Sequence, residues 1–163
     1  MTYEYWKKSD QIIGEVAKLK RPEYGFGSHL MLDGYGCDRQ QLEDISLIYN
    51  FLSEYPAQIK MTKIMPPYVF RYEAENPEDW GISGFVLIAE SHISIHTFPE
   101  KNYLSLDVFS CKEFNSEQAI SYVNTLFGVQ KSEIRLLDRG VEFPKNLRRS
   151  ARIVQEERSR LKH

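Results

Sequence analysis

One stretch of the chain concentrates side chains that could do chemistry: Gly81 to Cys111, GISGFVLIAESHISIHTFPEKNYLSLDVFSC. It holds small nucleophiles, two histidines, an acid and a thiol. In AESHISIH, His92, Ser94 and His96 alternate with Ile93 and Ile95. Period-two alternation puts the three polar residues on one face of a strand and both isoleucines on the other. A polar face on a largely buried strand needs partners, so it is either a hydrogen-bonded network or a site. Three readings of these residue types compete. Ser and His on a strand are commonly just satisfied polar residues, and a free Cys a small buried hydrophobe. His92, His96 and Cys111 could gather around zinc, but the paired ligand spacing usual for zinc is missing, so no metal is expected. A Ser-His hydrolase would want a Gly-x-Ser-x-Gly elbow, also missing.

The elements that must position these residues can be read from the same pattern. Phe26–Tyr35 reads as a strand ending at Gly34 and Gly36. Asp38 looks like a helix N-cap with Gln41 as its capping-box partner, and Leu42, Ile45, Ile48, Tyr49 and Leu52 continue at helical spacing until Pro56 stops the helix. Strand-like runs follow at Ala57–Met65, Tyr68–Glu73, Ile82–Ala89, His92–Phe98 and Tyr103–Ser110. Asn115 or Ser116 caps a second helix that carries Ile120, Val123, Leu126 and Phe127 and closes at Gly128. Glu133–Leu137 is a last short strand. Residues 1–24 form an N-terminal extension with a helical stripe (Ile12, Ile13, Val16, Ala17, Leu19), 25–140 the domain, and 141–163 a basic C-terminal tail. Runs of strands joined by short loops argue for an α+β, two-layer sandwich: an antiparallel sheet with helices on one face. Phe85, Val86, Leu87 and Ile88 are consecutive, so the second face is apolar too. That predicts a dimer with sheets packed face to face.

The chain has 163 residues, 42% hydrophobic and 27% charged, which suits one soluble domain with a real core. A formal net charge of -2 gives no electrostatic case for nucleic acid or an anionic membrane. No apolar run approaches a membrane span, and the N-terminus shows no apolar signal core, so a cytoplasmic protein is expected. Cys37 and Cys111 are then expected as thiols.

The stretch Gly81–Cys111 closely resembles the core of bacterial S-adenosylmethionine decarboxylase proenzymes. The residues that carry the resemblance are Ser83-Gly84, Glu90-Ser91-His92, Ile95-His96-Thr97-Phe98-Pro99-Glu100 and Asp107-Val108-Phe109-Ser110-Cys111. GSHLMLDGYGCD, Gly27–Asp38, resembles the family more weakly. The sequence departs from the pattern before Ser83, where MPPYVFRYEAENPEDWG is longer and lacks a histidine, and at Ser28, where many relatives carry Arg.

The resemblance implies a self-cleaving, pyruvoyl-dependent lyase. The Ser91 hydroxyl would attack the Glu90 carbonyl, helped by Ser83, to give an ester. His96 would remove the Ser91 α proton so that the ester is eliminated, leaving fragments 1–90 and 91–163. The second fragment would begin with a pyruvoyl group derived from Ser91. That ketone forms a Schiff base with the substrate amine and acts as the electron sink for CO2 loss. Cys111 resembles the proton donor to the substrate carbon, and Glu100 the acid that binds the ribose hydroxyls. The sulfonium and adenine of S-adenosylmethionine favour aromatic faces, for which Phe98, Tyr68, Phe70, Tyr72 and Trp80 are candidates. The implied product serves spermidine synthesis, and the implied state is a homodimer of processed protomers. Arginine or ornithine is the alternative substrate on the same scaffold. A binding protein that had lost the chemistry would be expected to lack Ser91, His96 or Cys111, and all three are present.

Overall fold

The computed structural model describes residues 26–73 and 75–140. The extension with its helical stripe and the basic tail lie outside the described residues. Six strands form one sheet: β1 (Gly27–Tyr35), β2 (Tyr68–Tyr72), β3 (Gly81–Ile88), β4 (Ser91–Phe98), β5 (Tyr103–Ser110) and β6 (Lys131–Arg139). Their order is β2-β3-β4-β5-β1-β6, and every neighbouring pair is antiparallel. The helices are α1 (Arg39–Leu42), α2 (Ile45–Gln58) and α3 (Ser116–Phe127).

The alternation in β4 resolves as the sequence pattern requires. Ile93 and Ile95 are fully buried, whereas His92, Ser94 and His96 keep contact with solvent. The same division runs across the sheet. Leu30, Val86, Leu106 and Val108 join Ile48, Leu52 and Phe127 in a core between the helices and one sheet face. Gly84 shows why a glycine follows Ser83. Its inner-face position lies under α2, where a Cβ would stand 2.7 Å from Leu52 Cδ1. Thr97, the one polar residue of β4 turned fully inward, ties β4 to the helical layer. Its hydroxyl donates to the Leu42 carbonyl (2.8 Å) and accepts from the Ile82 N–H (3.0 Å).

Three boundaries differ from the sequence pattern, each for a local reason. The first predicted helix is two. Asp38 caps α1 through the Gln40 N–H (2.8 Å), and Asp44 starts a new helix by accepting from Ser46 and Leu47 N–H, both at 2.9 Å. Pro56 does not stop α2, which runs to Gln58. It stands in the last turn, where its missing N–H forfeits a single helical bond. Ala57–Met65 is not a strand. It finishes α2, turns through Lys60 at φ +59°, and touches the sheet by a single bridge, Lys63 to Ile88.

The face away from the helices is open. Tyr68, Phe70, Tyr72, Phe85, Leu87 and Leu137 on it are between 38% and 58% exposed. No helix among the described residues is long and apolar enough to cross a membrane.

Candidate active site

Ser91 opens β4 directly after the two-residue turn Ala89-Glu90, and Ile88 pairs with Ser91 across that turn. A turn this short usually takes its positive φ at a Gly or Asn within the loop. Here the positive φ falls on Ser91 itself, at +154°, a region that L residues avoid. Strain of this kind typically costs ~1–3 kcal/mol and persists only where the surroundings impose it.

The surroundings do impose it. Ala89 N–H donates to the Thr62 carbonyl at 2.8 Å, and Ile64 N–H to Leu87 at 3.1 Å. The Glu90 carboxylate accepts from Thr62 N–H at 3.0 Å and faces Lys112 Nζ at 3.9 Å. The Glu90 carbonyl accepts from the Cys111 N–H at 3.0 Å. Cys111 is itself held by a turn in which buried Ser110 donates to the Lys112 carbonyl (2.8 Å) and accepts from its N–H (3.0 Å). The Glu90–Ser91 peptide is therefore polarised by a fixed donor, the arrangement that stabilises charge developing on a carbonyl oxygen.

Beside Ser91, on the open face, the His92 Nδ1 lies 3.2 Å from Ser91 Oγ. Its ring meets Phe109 edge-on at 5.9 Å. His29 of β1 packs on the same Phe109 ring at 5.6 Å and pairs with Asp107 at 2.9 Å, while the Arg139 guanidinium lies 4.3 Å from its centroid. Burial, then the His29 ring, pushes the His92 imidazole below its usual pKa; Asp107 opposes this and Arg139 adds to it.

The expected site residues fall into groups. Glu90, Ser91 and Cys111 come together at one end of the sheet. Ser83 and His96 also come together, with Ser83 Oγ 2.9 Å from His96 Nδ1 and the two residues directly paired across β3 and β4. They are not beside Ser91. His96 is five residues along an extended strand, roughly 16 Å at a rise of ~3.3 Å per residue. Glu100 lies farther still, beyond the end of β4, where its Oε1 accepts from Arg39 (2.5 Å) and Trp80 Nε1 (3.2 Å). Phe98 stacks near Tyr103 with centroids 5.6 Å apart. Cys37 is 2% exposed and burial pushes its thiol up to about 11, as fits a packed core thiol. Among the described residues no group of His, Cys, Asp or Glu is arranged to hold a metal ion.

Four contributors escaped the sequence reading. Ser110 and Lys112 flank Cys111, so their neighbourhood was a signal. His29 sits in the Gly-x-His strand. Thr62 gave no signal at all, because its role rests on a backbone contact with a residue 28 positions away.

A six-stranded antiparallel sheet with its helices on one face defines a two-layer α+β class of fold. The adenosylmethionine decarboxylase from Aquifex aeolicus VF5 is similar at a TM-score of 0.61 and 28% identity, covering 76% of this chain and 98% of that one. Curated relatives agree. S-adenosylmethionine decarboxylase proenzymes of Pyrococcus furiosus (34% identical, 71% of this chain and 80% of theirs) and Clostridium botulinum strain Langeland (35% identical, 70% and 94%) are similar to it. The profile described as S-adenosylmethionine decarboxylase matches residues 28–140, and the chain belongs to that family.

Proposed function

We propose that this protein is an S-adenosylmethionine decarboxylase that cuts itself between Glu90 and Ser91 and keeps a pyruvoyl group made from Ser91. The observation that carries the reading is the Glu90 carbonyl held at 3.0 Å by the Cys111 N–H, next to a serine at φ +154°. Attack of the Ser91 hydroxyl on that carbonyl relieves the strain and builds negative charge where a donor already waits. Family membership supports the same chemistry. The residues present fit the group, since the serine that would yield it stands between the clamped Glu90 carbonyl and the Cys111 strand end.

The pyruvoyl carbonyl supplies the electron sink that a decarboxylation needs, the task pyridoxal phosphate performs elsewhere. The chain's own residues do the rest. Cys111, whose backbone already touches the scissile carbonyl, delivers a proton to the substrate carbon after CO2 leaves, and so must be a thiol at that moment. His96 removes the Ser91 α proton during processing, with Ser83 assisting the acyl shift. Glu100 binds the ribose hydroxyls through Oε2, which takes neither the Arg39 nor the Trp80 bond. Phe98 offers the aromatic face.

The roughly 16 Å between Ser91 and His96 means that one protomer does not complete this site. A second copy packed on the open face does. A two-fold axis lying across the strands near Ser94 would lay the Ser91 end of each sheet over the Ser83–His96 end of the other, with sheets ~10 Å apart. The half-exposed aromatics of β2 and β3 would be covered at the same time. The protein is thus read as a homodimer of processed protomers, acting in the cytoplasm and supplying decarboxylated S-adenosylmethionine for spermidine synthesis.

The test is the intact mass of purified protein under denaturing conditions. Fragments 1–90 and 91–163, the latter with a blocked N-terminus, are expected, and a Ser91→Ala chain is expected to stay whole. A Ser91→Ala chain that still splits at this bond would overturn the reading.

A further inference from the structure

We propose that His92 is the base that takes the Ser91 hydroxyl proton in the first covalent step of self-processing. This rests on the processing reading above and assigns a step that reading leaves without a base. His96, which on that reading the second protomer brings to Ser91, acts on the Ser91 α proton, a later event at a different atom. His92 Nδ1 is already at 3.2 Å from Ser91 Oγ, within the distance at which a general base works once the reactants tighten.

The step balances as follows. His92, as the Nε2–H tautomer, takes the hydroxyl proton on Nδ1. Ser91 Oγ bonds to the Glu90 carbonyl carbon, and the carbonyl electrons move onto the oxygen held by the Cys111 N–H. The C–N bond then breaks, its electrons return to nitrogen, and His92 hands the proton to the leaving amine. The imidazole ends neutral and the chain carries an ester between Glu90 and Ser91 with a free Ser91 amine.

Such a base must be neutral at working pH, and the groups around it arrange this. His29 from β1 faces His92 across the Phe109 ring, and Arg139 of β6 lies over that same ring. Both, together with burial, disfavour the imidazolium, while Asp107 of β5 favours it but is engaged with His29 at 2.9 Å. A histidine with its pKa below the ordinary ~6.5 stays competent from neutral pH down into mildly acid solution.

The experiment follows ester formation alone. In a His96→Ala background, full-length chain from cell-free synthesis accumulates as an ester that hydroxylamine cleaves. Adding His92→Gln is expected to slow ester formation by at least ~100-fold, the low end for a positioned base, and to leave intact, hydroxylamine-resistant chain. With His92 present, the rate is expected to be flat at and above neutrality and to fall only in solution more acid than the ordinary histidine value of ~6.5; with Gln, that fall disappears. His92→Ala distinguishes chemistry from packing, since added imidazole is expected to restore its ester formation. An unchanged rate and pH fall in His92→Gln, or stalled variants that imidazole does not restore, would overturn the proposal. Splitting of Ser91→Ala would remove the processing reading instead, so the two failures are distinct.

Discussion

Ser91 is held at φ +154° by contacts that reach the turn from two directions, the Met61–Ile64 segment and the Cys111 turn. On the proposed processing, cutting the chain before Ser91 would free that backbone, so the strain would favour the reaction. Cys111 inherits its place from the same clamp, because its N–H is the donor on the Glu90 carbonyl. Cys111→Ser is therefore expected to process and to release CO2, but slowly and with misdirected protonation, since a hydroxyl is a far weaker acid than a thiol. Protonation of the cofactor carbon instead of the substrate carbon turns the pyruvoyl terminus into alanine. Mass spectrometry of fragment 91–163 after turnover reads this directly. A Cys111→Ser enzyme with unchanged rate and lifetime would show that Cys111 is not the donor. Cys37, buried and with its thiol pushed up to about 11, is expected to resist thiol reagents until the protein unfolds.

At the scale of elements, the β3–β4 hairpin carries both halves of the proposed chemistry, Ser83 with His96 at one end and the turn with Ser91 at the other. The hairpin depends on the helical layer through Thr97 and Gly84. Phe51, Tyr55 and Tyr122 stack, with Tyr55 and Tyr122 at 5.1 Å and 7°, yet the buried Tyr55 hydroxyl has no hydrogen-bond partner among the described residues. Burial raises its pKa far above the ordinary phenol range. Removing a buried hydroxyl that makes no bond should help, because its lost hydration is not compensated. Tyr55→Phe is expected to raise stability by about 1 kcal/mol in a denaturant titration, with processing unchanged. A destabilised Tyr55→Phe would mean that the hydroxyl has a partner after all.

For the whole molecule, the open sheet face decides whether the two ends of β4 ever meet. If they meet across a two-fold, variants defective at opposite ends should repair each other. A chain with Ser91→Ala and a chain with His96→Ala, co-expressed with different tags, form mixed dimers. In these the intact Ser91 of one faces the intact His96 of the other, and fragment 91–163 of the His96→Ala chain is expected to appear. Its absence from mixed dimers isolated by both tags would place His96 and Ser91 in separate functions. Glu100 belongs to the same scale. Glu100→Gln is expected to lower kcat/KM for S-adenosylmethionine by about 1.5–3 kcal/mol, the range for a hydrogen bond to a charged group. An unchanged kcat/KM would remove Glu100 from the substrate site.

Periodicity was enough to place β1, β3, β4 and β5 and to sort the faces of β4, because a strand's side chains alternate whatever surrounds it. His92, Ser94 and His96 declared the open face, and Ile93 and Ile95 the core. The Glu-Ser-His and Phe-Ser-Cys motifs named Ser91 and Cys111 as a site through their resemblance to a family. Helix breaks were less legible. Asp44 looks like any surface carboxylate until its backbone turns out, and Pro56 looks like a stop until the helix is seen to be ending anyway. What only tertiary structure decided was distance. The sequence places Ser83, Ser91, His96 and Glu100 within 18 residues of one another, but an extended strand converts short separations into long ones. It also takes the fold to bring Thr62 onto Glu90 and the Cys111 N–H onto the Glu90 carbonyl. Each of those contacts starts from a backbone N–H far along the chain from its acceptor, and a backbone N–H carries no mark of its partner in the residue's identity.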